Sequence, residues 1–572
     1  MGDKRKGNTK EAEQRAVRSS RLTVTPTPTL IIEASWEVCN KVGGIHTVLS
    51  GRAAEMMQRH DGQVLFVGPL QSEEALSNSF EACEIPFLKE WLEQTVLPFQ
   101  FKLGRWRTSA NPPVLLVDYS VPQEELHHFY YQLWEQYGIP SDKGFGDYPE
   151  ALSFSLRVAE VIVSLYTYYY KRRPMVAIFD EWTVGGALLR LKHLAPTLPT
   201  IFITHATTLG RSIASNGKEL YRYLEQYDND IMARELNVEA KHYVERAAAL
   251  TATQFATVSD TTAQECQQFI GRKPVVLPNG FPLFSDSDYL RLEREHNSIR
   301  QQILKVVSTL YGVDLPKDSL LALTSGRYEY RNKGFDVVID MLYNLSVKKC
   351  AKPLVMIFAI PAWVAMPRGD LRAMLQDVQN DMGESMQCPF LTHWLHHADS
   401  DTLTQALIRF YKVNGQKAPI YPVFIPCYLD GNDGIFNIPY YDFVSACDLT
   451  LFPSYYEPWG YTPHESIALG VPTVSSTLSG FGLAMADLLG RPNGDVTRGI
   501  AVVERNDENY MEAVEFVADI VQYFQMLPTR SQKQQMALQA KKLASQADWI
   551  HFYNYYQQLI DDILTRHGEV SN

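Results

Sequence analysis

At 572 residues the chain is too long for one ordinary hydrophobic core and predicts about two to four domains. Its 45% apolar and 21% charged content is that of a soluble globular protein. A formal net charge of −12 argues against a general nucleic-acid or membrane-surface role, because phosphate surfaces need basic faces.

No apolar run reaches the roughly 18 residues of a spanning helix, and the charged start, MGDKRKGNTKEAEQRAVRSS, has no apolar stretch behind it. Seven scattered cysteines without a CxxC pair read as reduced thiols, so a cytoplasmic location is expected. Residues 1–29 are polar, end in TVTPTPT and are expected to form a mobile tail.

From residue 30 the pattern alternates between strands and helices. LIIEAS is an apolar strand, WEVCNKVGG a loop, 45–59 an amphipathic helix and VLFVG the next strand. Lys41, Gly43 and Gly44 lie between strand and helix start, where glycines let a backbone approach a ligand closely. Residues 91–130 read as a strand-rich excursion and 151–170 as a helix. MVAIFDEW is a buried strand running into Asp180 and Glu181, and a carboxylate pair at a strand's C-terminal end belongs on the ligand side of an α/β sheet. PTIFITHATTLGR repeats the arrangement with His205 and Arg211, and VVLPNG leads into Asn279. Such regularity is the mark of an open parallel sheet.

A charged amphipathic helix over 290–311 reads as a connector or an oligomer contact. A second sheet begins at LLALTSG, followed by Arg327, Arg331 and Lys333 before a helix that Gly334 opens. Cations beside a helix N-terminus suit a phosphate: arginine offers a planar fork and lysine a point charge. Residues 364–420 are read as a helical insertion and 507–566 as mainly helical.

The stretch 448–482 is a further strand–loop–helix–strand unit. Thr462 suits an N-cap, Pro463 the first helical position and Glu465 the reciprocal partner of a capping box. The loop before it holds Tyr456, Glu457, Trp459, Gly460 and Tyr461. It reads either as a well-packed turn or as an anion site at a helix start. No strict G-x-G-x-x-G, Walker A, HExxH or nucleophile elbow occurs, which disfavours a dehydrogenase and those other classes.

Taken together, WEVCNKVGGIHTVLSGRA, EW at 181–182, THATTLGR, YVERAAALTATQFATVSDTTAQE, RKPVVLPNG, SGRYEYRNKGFD and FPSYYEPWGYTPHESIALGVPTVSSTLSGFG resemble the glycogen synthases of animals and fungi over residues 31–482. The resemblance implies an α/β fold of the GT-B type, two Rossmann-like domains with parallel sheets facing a cleft. Residues 30–285 would form the acceptor side, 286–315 a connector, 316–530 the nucleotide-sugar side, and 531–572 helices crossing back to the N-terminal domain.

It further implies transfer of glucose from UDP-glucose to the 4-hydroxyl of a glycogen or α-1,4-glucan end with retention of configuration, without metal or other cofactor. The implied catalytic residues are Glu457, His205, Arg327 and Lys333. The implied nucleotide-sugar set is Lys41, Gly43, Gly44, Glu181, Arg211, Asn279, Arg327, Arg331, Lys333, Tyr440, Tyr456, Glu457, Trp459, Gly460, Tyr461, Thr462 and Glu465. Within it, Arg327 and Lys333 hold the diphosphate, Glu465 the ribose and Tyr440 the uracil, while Glu457 faces the glucose. Partners are otherwise limited to a possible homo-oligomer, with no nucleic acid and no membrane. The competing readings are a related retaining transferase with another nucleotide sugar or acceptor, and a glucan-binding homologue without turnover.

Two departures stand out. Asp180 replaces the histidine of the family's HEW. The family's dense arginine cluster, which binds glucose 6-phosphate, is reduced at 529–543 to Arg530, Lys533, Lys541 and Lys542, and the serine-rich tail is missing after HGEVSN. Glucose 6-phosphate is therefore expected to activate weakly or not at all; a several-fold rise in transfer rate on adding it would overturn this.

Overall fold

Apolar runs such as LIIEA, VLFVGP and MVAIFD have no polar face, and they form central strands buried on both sides. The computed structural model describes residues 28–376, 384–415, 417–526 and 530–570. The expected tail, apart from residues 28 and 29, lies outside the described residues.

Among the described residues the first sheet has nine strands: β1 (Leu30–Ala34), β2 (Val64–Pro69), β3 (Phe80–Ala82), β4 (Phe101–Trp106), β5 (Pro113–Val117), β6 (Met175–Asp180), β7 (Thr200–Thr204), β8 (Gln254–Thr257) and β9 (Val275–Val276). Their order is β3-β4-β5-β2-β1-β6-β7-β8-β9, parallel except where β4 pairs with β3 and β5.

The second half contains β10 (Leu320–Ser325), β11 (Leu354–Ala359), β12 (Val364–Pro367), β13 (His393–Leu395), β14 (Ile420–Ile425), β15 (Leu449–Leu451), β16 (Thr473–Ser476), β17 (Gly494–Asp495) and β18 (Ile500–Val503). Seven of these form a sheet in the order β14-β11-β10-β15-β16-β18-β17, parallel except for β17–β18. Strand order reverses between β1 and β6 in one sheet and between β10 and β15 in the other. Such switch points open a crevice at the carboxyl ends of the strands.

The stretch expected to be a helical insertion divides in two. β12 and β13 form a small antiparallel pair, whereas helix Thr402–Asn414 is the crossover that returns the chain from β11 to β14. The charged helix spans Asp286–Tyr311 and starts with a capping box between Ser285 and Asp288. It packs on the C-terminal half, where Arg291 grips Asp442 in a two-pronged ion pair (2.7 and 2.8 Å). Residues 91–130 hold β4 and β5 but also the start of helix Gln123–Tyr137.

After the second sheet, helix Trp549–Val570 runs back to the first half and packs on helix Gly44–Arg59. Arg59 donates to Asn554 Oδ1 (2.7 Å), and the Arg52 guanidinium lies 4.5 Å above the Tyr556 ring. Trp549 is fully buried against Gly51 and Gly280, both too close to it to carry a Cβ without displacement. Trp549→Ala removes this anchor and leaves a void, so stability is expected to fall by about 3–5 kcal/mol, read from urea unfolding midpoints.

Candidate functional site

Loops from the two switch points converge on one crevice. After β10, the segment 326–334 turns sharply: Gly334 has φ +72°, and a Cβ there would lie 2.2 Å from the Pro453 carbonyl oxygen. This close approach ties the basic loop to the loop after β15. The Asn332 carbonyl reinforces it by accepting from the amides of Tyr455 (2.9 Å) and Tyr456 (3.1 Å). Lys333 Nζ consequently forms an ion pair with Glu457, joining two of the expected catalytic residues. Arg327 is 54% exposed and pairs with Glu329 at 3.0 Å.

Arg331, expected beside them as a phosphate ligand, is committed elsewhere. It donates to the Gly217 carbonyl (2.7 Å), pairs with Asp507 (3.2 Å) and stacks on Tyr455 (4.2 Å). It joins the two halves of the molecule.

The loop 457–460 is pinned from below, with Gly480 and Phe481 amides donating to the carbonyls of Glu457 (3.2 Å) and Trp459 (2.8 Å). Helix Tyr461–Ala468 then begins at Gly460, whose φ of +108° few side-chain-bearing residues adopt. The expected N-cap at Thr462 and its capping box with Glu465 are therefore corrected. The helix starts earlier, no side chain caps it, and its first amides remain available to an anion.

Glu465 instead accepts from Tyr441 Oη at 3.2 Å. Burial pushes its carboxyl up to about 7, only partly opposed by Tyr441 and the Lys41 charge. Tyr440 is half-buried with its hydroxyl 2.8 Å from Ser325 Oγ, at the end of β10.

Two aromatic assignments do not survive. Trp459, expected in the nucleotide-sugar set, is instead buried in the core among Phe481, Phe552 and His464, with ring centroids 5.9, 6.2 and 6.4 Å away. Tyr456 is buried too, its hydroxyl 3.3 Å from Glu265 Oε2 in the other half. Asn279 is also buried, and among the described residues its Oδ1 has no hydrogen-bond partner. The next carbonyl, of Gly280, accepts from Tyr461 Oη at 3.3 Å.

From the first half, Lys41 in the loop after β1 and Gly44 at the start of the following helix are exposed. Glu37 shapes this loop by accepting from the amides of Gly43 (2.8 Å) and His46 (2.9 Å). An ideal Cβ on Gly44 would sit 3.9 Å from the Tyr461 ring, so the glycine loop and the uncapped helix start face each other.

At the end of β6, Glu181 holds φ +74° and accepts from the amides of His205 (2.7 Å) and Ala206 (3.1 Å). It positions the histidine loop through its backbone. The ring of His205 donates from Nε2 to Asp180 Oδ1 at 2.8 Å. Arg211 stays open to solvent although protein surrounds it: burial lowers its pKa, but Tyr456, Glu181, Glu329 and Glu457 outweigh this and raise it. Arg211 thus lies within electrostatic reach of carboxylates of both halves.

Sequence reasoning missed Glu37, Tyr441 and a pair of buried carboxyls beneath the histidine loop. Glu245 accepts from Thr204 Oγ1 (2.5 Å) and the Thr208 amide (3.0 Å), and Glu265 from Thr207 Oγ1 (2.6 Å). Glu37's place in the strand-to-glycine loop was a usable signal. Glu245 and Glu265 stand at the third and last positions of YVERAAALTATQFATVSDTTAQE, and Tyr441 directly follows Tyr440, so those stretches carried the signal while the contacts themselves did not show.

A two-Rossmann α/β fold with cations, an uncapped helix start and polar strand ends around one crevice defines a GT-B glycosyltransferase. Two solved structures share the fold. The catalytic domain of starch synthase IV from Arabidopsis thaliana, bound to ADP and acarbose, has a TM-score of 0.52 at 14% identity, covering 95% of this chain and 99% of that one. An α,α-trehalose-phosphate synthase from Burkholderia vietnamiensis has a TM-score of 0.51 at 11% identity, covering 94% and 96%.

The family model described as glycogen synthase matches residues 33–368 and 366–567, and the chain belongs to the glycogen synthase family. Similar relatives include glycogen [starch] synthase isoform 2 of Saccharomyces cerevisiae, 28% identical over 91% of this chain and 84% of its own length. The liver glycogen [starch] synthase of Mus musculus is 27% identical over 92% and 82%. The fold and the family together make the chain a hexosyltransferase of glycogen synthesis.

Burial pushes Glu245 up to about 8, with the Glu181 charge adding to it, and Glu265 up to about 7. Each carboxyl is then protonated in the fold where the unfolded chain has lost its proton. Stability is full below the unfolded value and falls as pH rises through 7 and 8. Glu245→Gln is expected to make that fall shallower, as read from urea unfolding at a series of pH values.

Proposed function

We propose that this crevice transfers glucose from UDP-glucose to the 4-hydroxyl at the non-reducing end of an α-1,4-glucan, with retention of configuration. The observation that carries the reading is the ion pair joining Lys333 to Glu457 beside the uncapped start of helix Tyr461–Ala468.

The diphosphate would lie on Arg327, Lys333 and the amides of residues 460–462, and Glu465 would hold the ribose. Breaking the glucose–phosphate bond builds negative charge on the departing UDP. Fixed cations and an uncapped helix start meet that charge where it forms, which is the largest lever an enzyme has. No metal is needed for this, so chelation by EDTA should leave the rate unchanged. Positive charge grows on the sugar, and Glu457 supplies the matching carboxylate.

A double displacement would require two free carboxylates flanking the bond, roughly 5 Å apart. Of the others near the histidine loop, Glu181 is taken up by two amides and Asp180 by the His205 ring. Attack from the face that UDP leaves, with the departing phosphate accepting the acceptor's proton, fits the residues better.

Contacts between the halves favour transfer over hydrolysis by excluding water. Among the described residues no helix is long and apolar enough to cross a membrane. A cytoplasmic site of action is part of the same proposal. Two of the surviving cations, on helix Arg530–Ala544, are already engaged, Lys533 with Asp448 (2.7 Å) and Lys541 over the Tyr289 ring (3.9 Å), in keeping with weak sugar-phosphate regulation.

Purified protein given labelled UDP-, ADP- and GDP-glucose with glycogen should place label in polymer chiefly from UDP-glucose. Free glucose or a small glycoside as sole product would overturn the proposal. Glu457→Ala is expected to lower kcat by about 100-fold or more, and undiminished transfer would remove Glu457 from its role.

A further inference from the structure

Asp180 is fully buried at the carboxyl end of β6, and its Oδ1 lies 2.8 Å from His205 Nε2. Behind it stands Arg52, also fully buried, with a guanidinium nitrogen 3.6 Å from the same oxygen. Arg52 is itself paired with Glu33, fully buried in the middle of β1. The formal charges of Glu33, Arg52 and Asp180 leave one net negative charge. A buried charge without a partner is costly, and His205 is the group against which this one is set.

We propose that Asp180 is a positioning residue for glucosyl transfer. Its carboxylate fixes the His205 ring with hydrogen on Nε2 and holds a negative charge behind that ring. The inference rests on the reading that His205 borders the reacting sugar.

The arrangement has the parts such a role needs. An ionised carboxylate can only accept, so it selects the tautomer by taking the Nε2 hydrogen. The backbone at His205 is fixed separately by Glu181, so the main chain and the ring are held by different carboxylates from adjacent positions. Glu37 lies within electrostatic reach of His205 and Glu181 stands next to its backbone, but both are occupied with loop amides, whereas Asp180 meets the ring directly. Tyr556 of the C-terminal helix closes the far side of Arg52, so the support extends across the molecule.

The test is a double-mutant cycle. Asp180→Asn keeps the volume and removes the charge. It is expected to lower kcat on the order of 100-fold, the loss that follows misplacement of a reacting group. The KM for UDP-glucose and the calorimetric affinity for UDP should stay within about two-fold, because the nucleotide lies on the other half. In a His205→Ala background the same change should cost no more than about two-fold further, since the two residues act as one unit.

Should the Asn form not accumulate folded, Asp180→Ser, too short to reach Nε2, is put through the same cycle. Unchanged kcat in Asp180→Asn while His205→Ala is impaired overturns this inference alone. So does an equal loss in both backgrounds, which marks a structural effect independent of His205. Full transfer by His205→Ala overturns the crevice reading and this inference with it.

Discussion

Reversal of strand order within each sheet is the constraint on which the site depends. At β1–β6 and at β10–β15 the connections leave in opposite directions, and the carboxyl ends of those strands are not roofed by a crossover. The loops that open there are 35–43, 181–184, 326–334 and 452–460, and with the histidine loop after β7 they carry Lys41, Glu181, Arg327, Lys333, Glu457 and His205. Strands buried on both faces leave polar side chains few other exits. Hence Asp180, Ser325 and His205 all stand at or just beyond a strand end.

The halves do not merely face each other across solvent. Tyr455 Oη accepts from the Leu220 amide at 2.8 Å and donates to Asp507, which also receives the Arg222 amide at 3.0 Å. Arg331 spans the same seam to Gly217, and Tyr456 reaches Glu265. Beneath these polar contacts a continuous apolar cluster joins the halves, with Ile31, Val48 and Leu277 of the first in one buried group with Ile467, Phe481 and Ile500 of the second. The tyrosines of the loop before Gly460 serve this seam, and Trp459 serves the core beneath it.

Carboxyls around the histidine loop divide by their surroundings. Glu245 and Glu265 are sealed among threonines and tyrosines, and burial drives both toward neutrality. Asp180 instead has a cation behind it and an imidazole before it. One class of side chain therefore supplies both buried struts for the loop and a hydrogen-bond partner for the ring.

Local residue pattern was enough to specify the elements and the crevice. Uninterrupted apolar runs specify strands buried on both faces, and their polar terminations mark the ligand side, because local pattern alone dictates both. It also marked Lys333, Glu457, His205 and Arg211, which sit in loops adjoining those runs. What each side chain touches depends instead on long-range packing. Thr462 loses its capping role because Gly460 adopts a positive φ and starts the helix sooner. Trp459 turns inward because Phe481 and Phe552 arrive from far along the chain. Arg331 leaves the phosphate group for Asp507, 176 residues away. The partner that Asp180 finds in His205 belongs to the same class, since contacts between distant segments depend on packing geometry that no local spacing encodes.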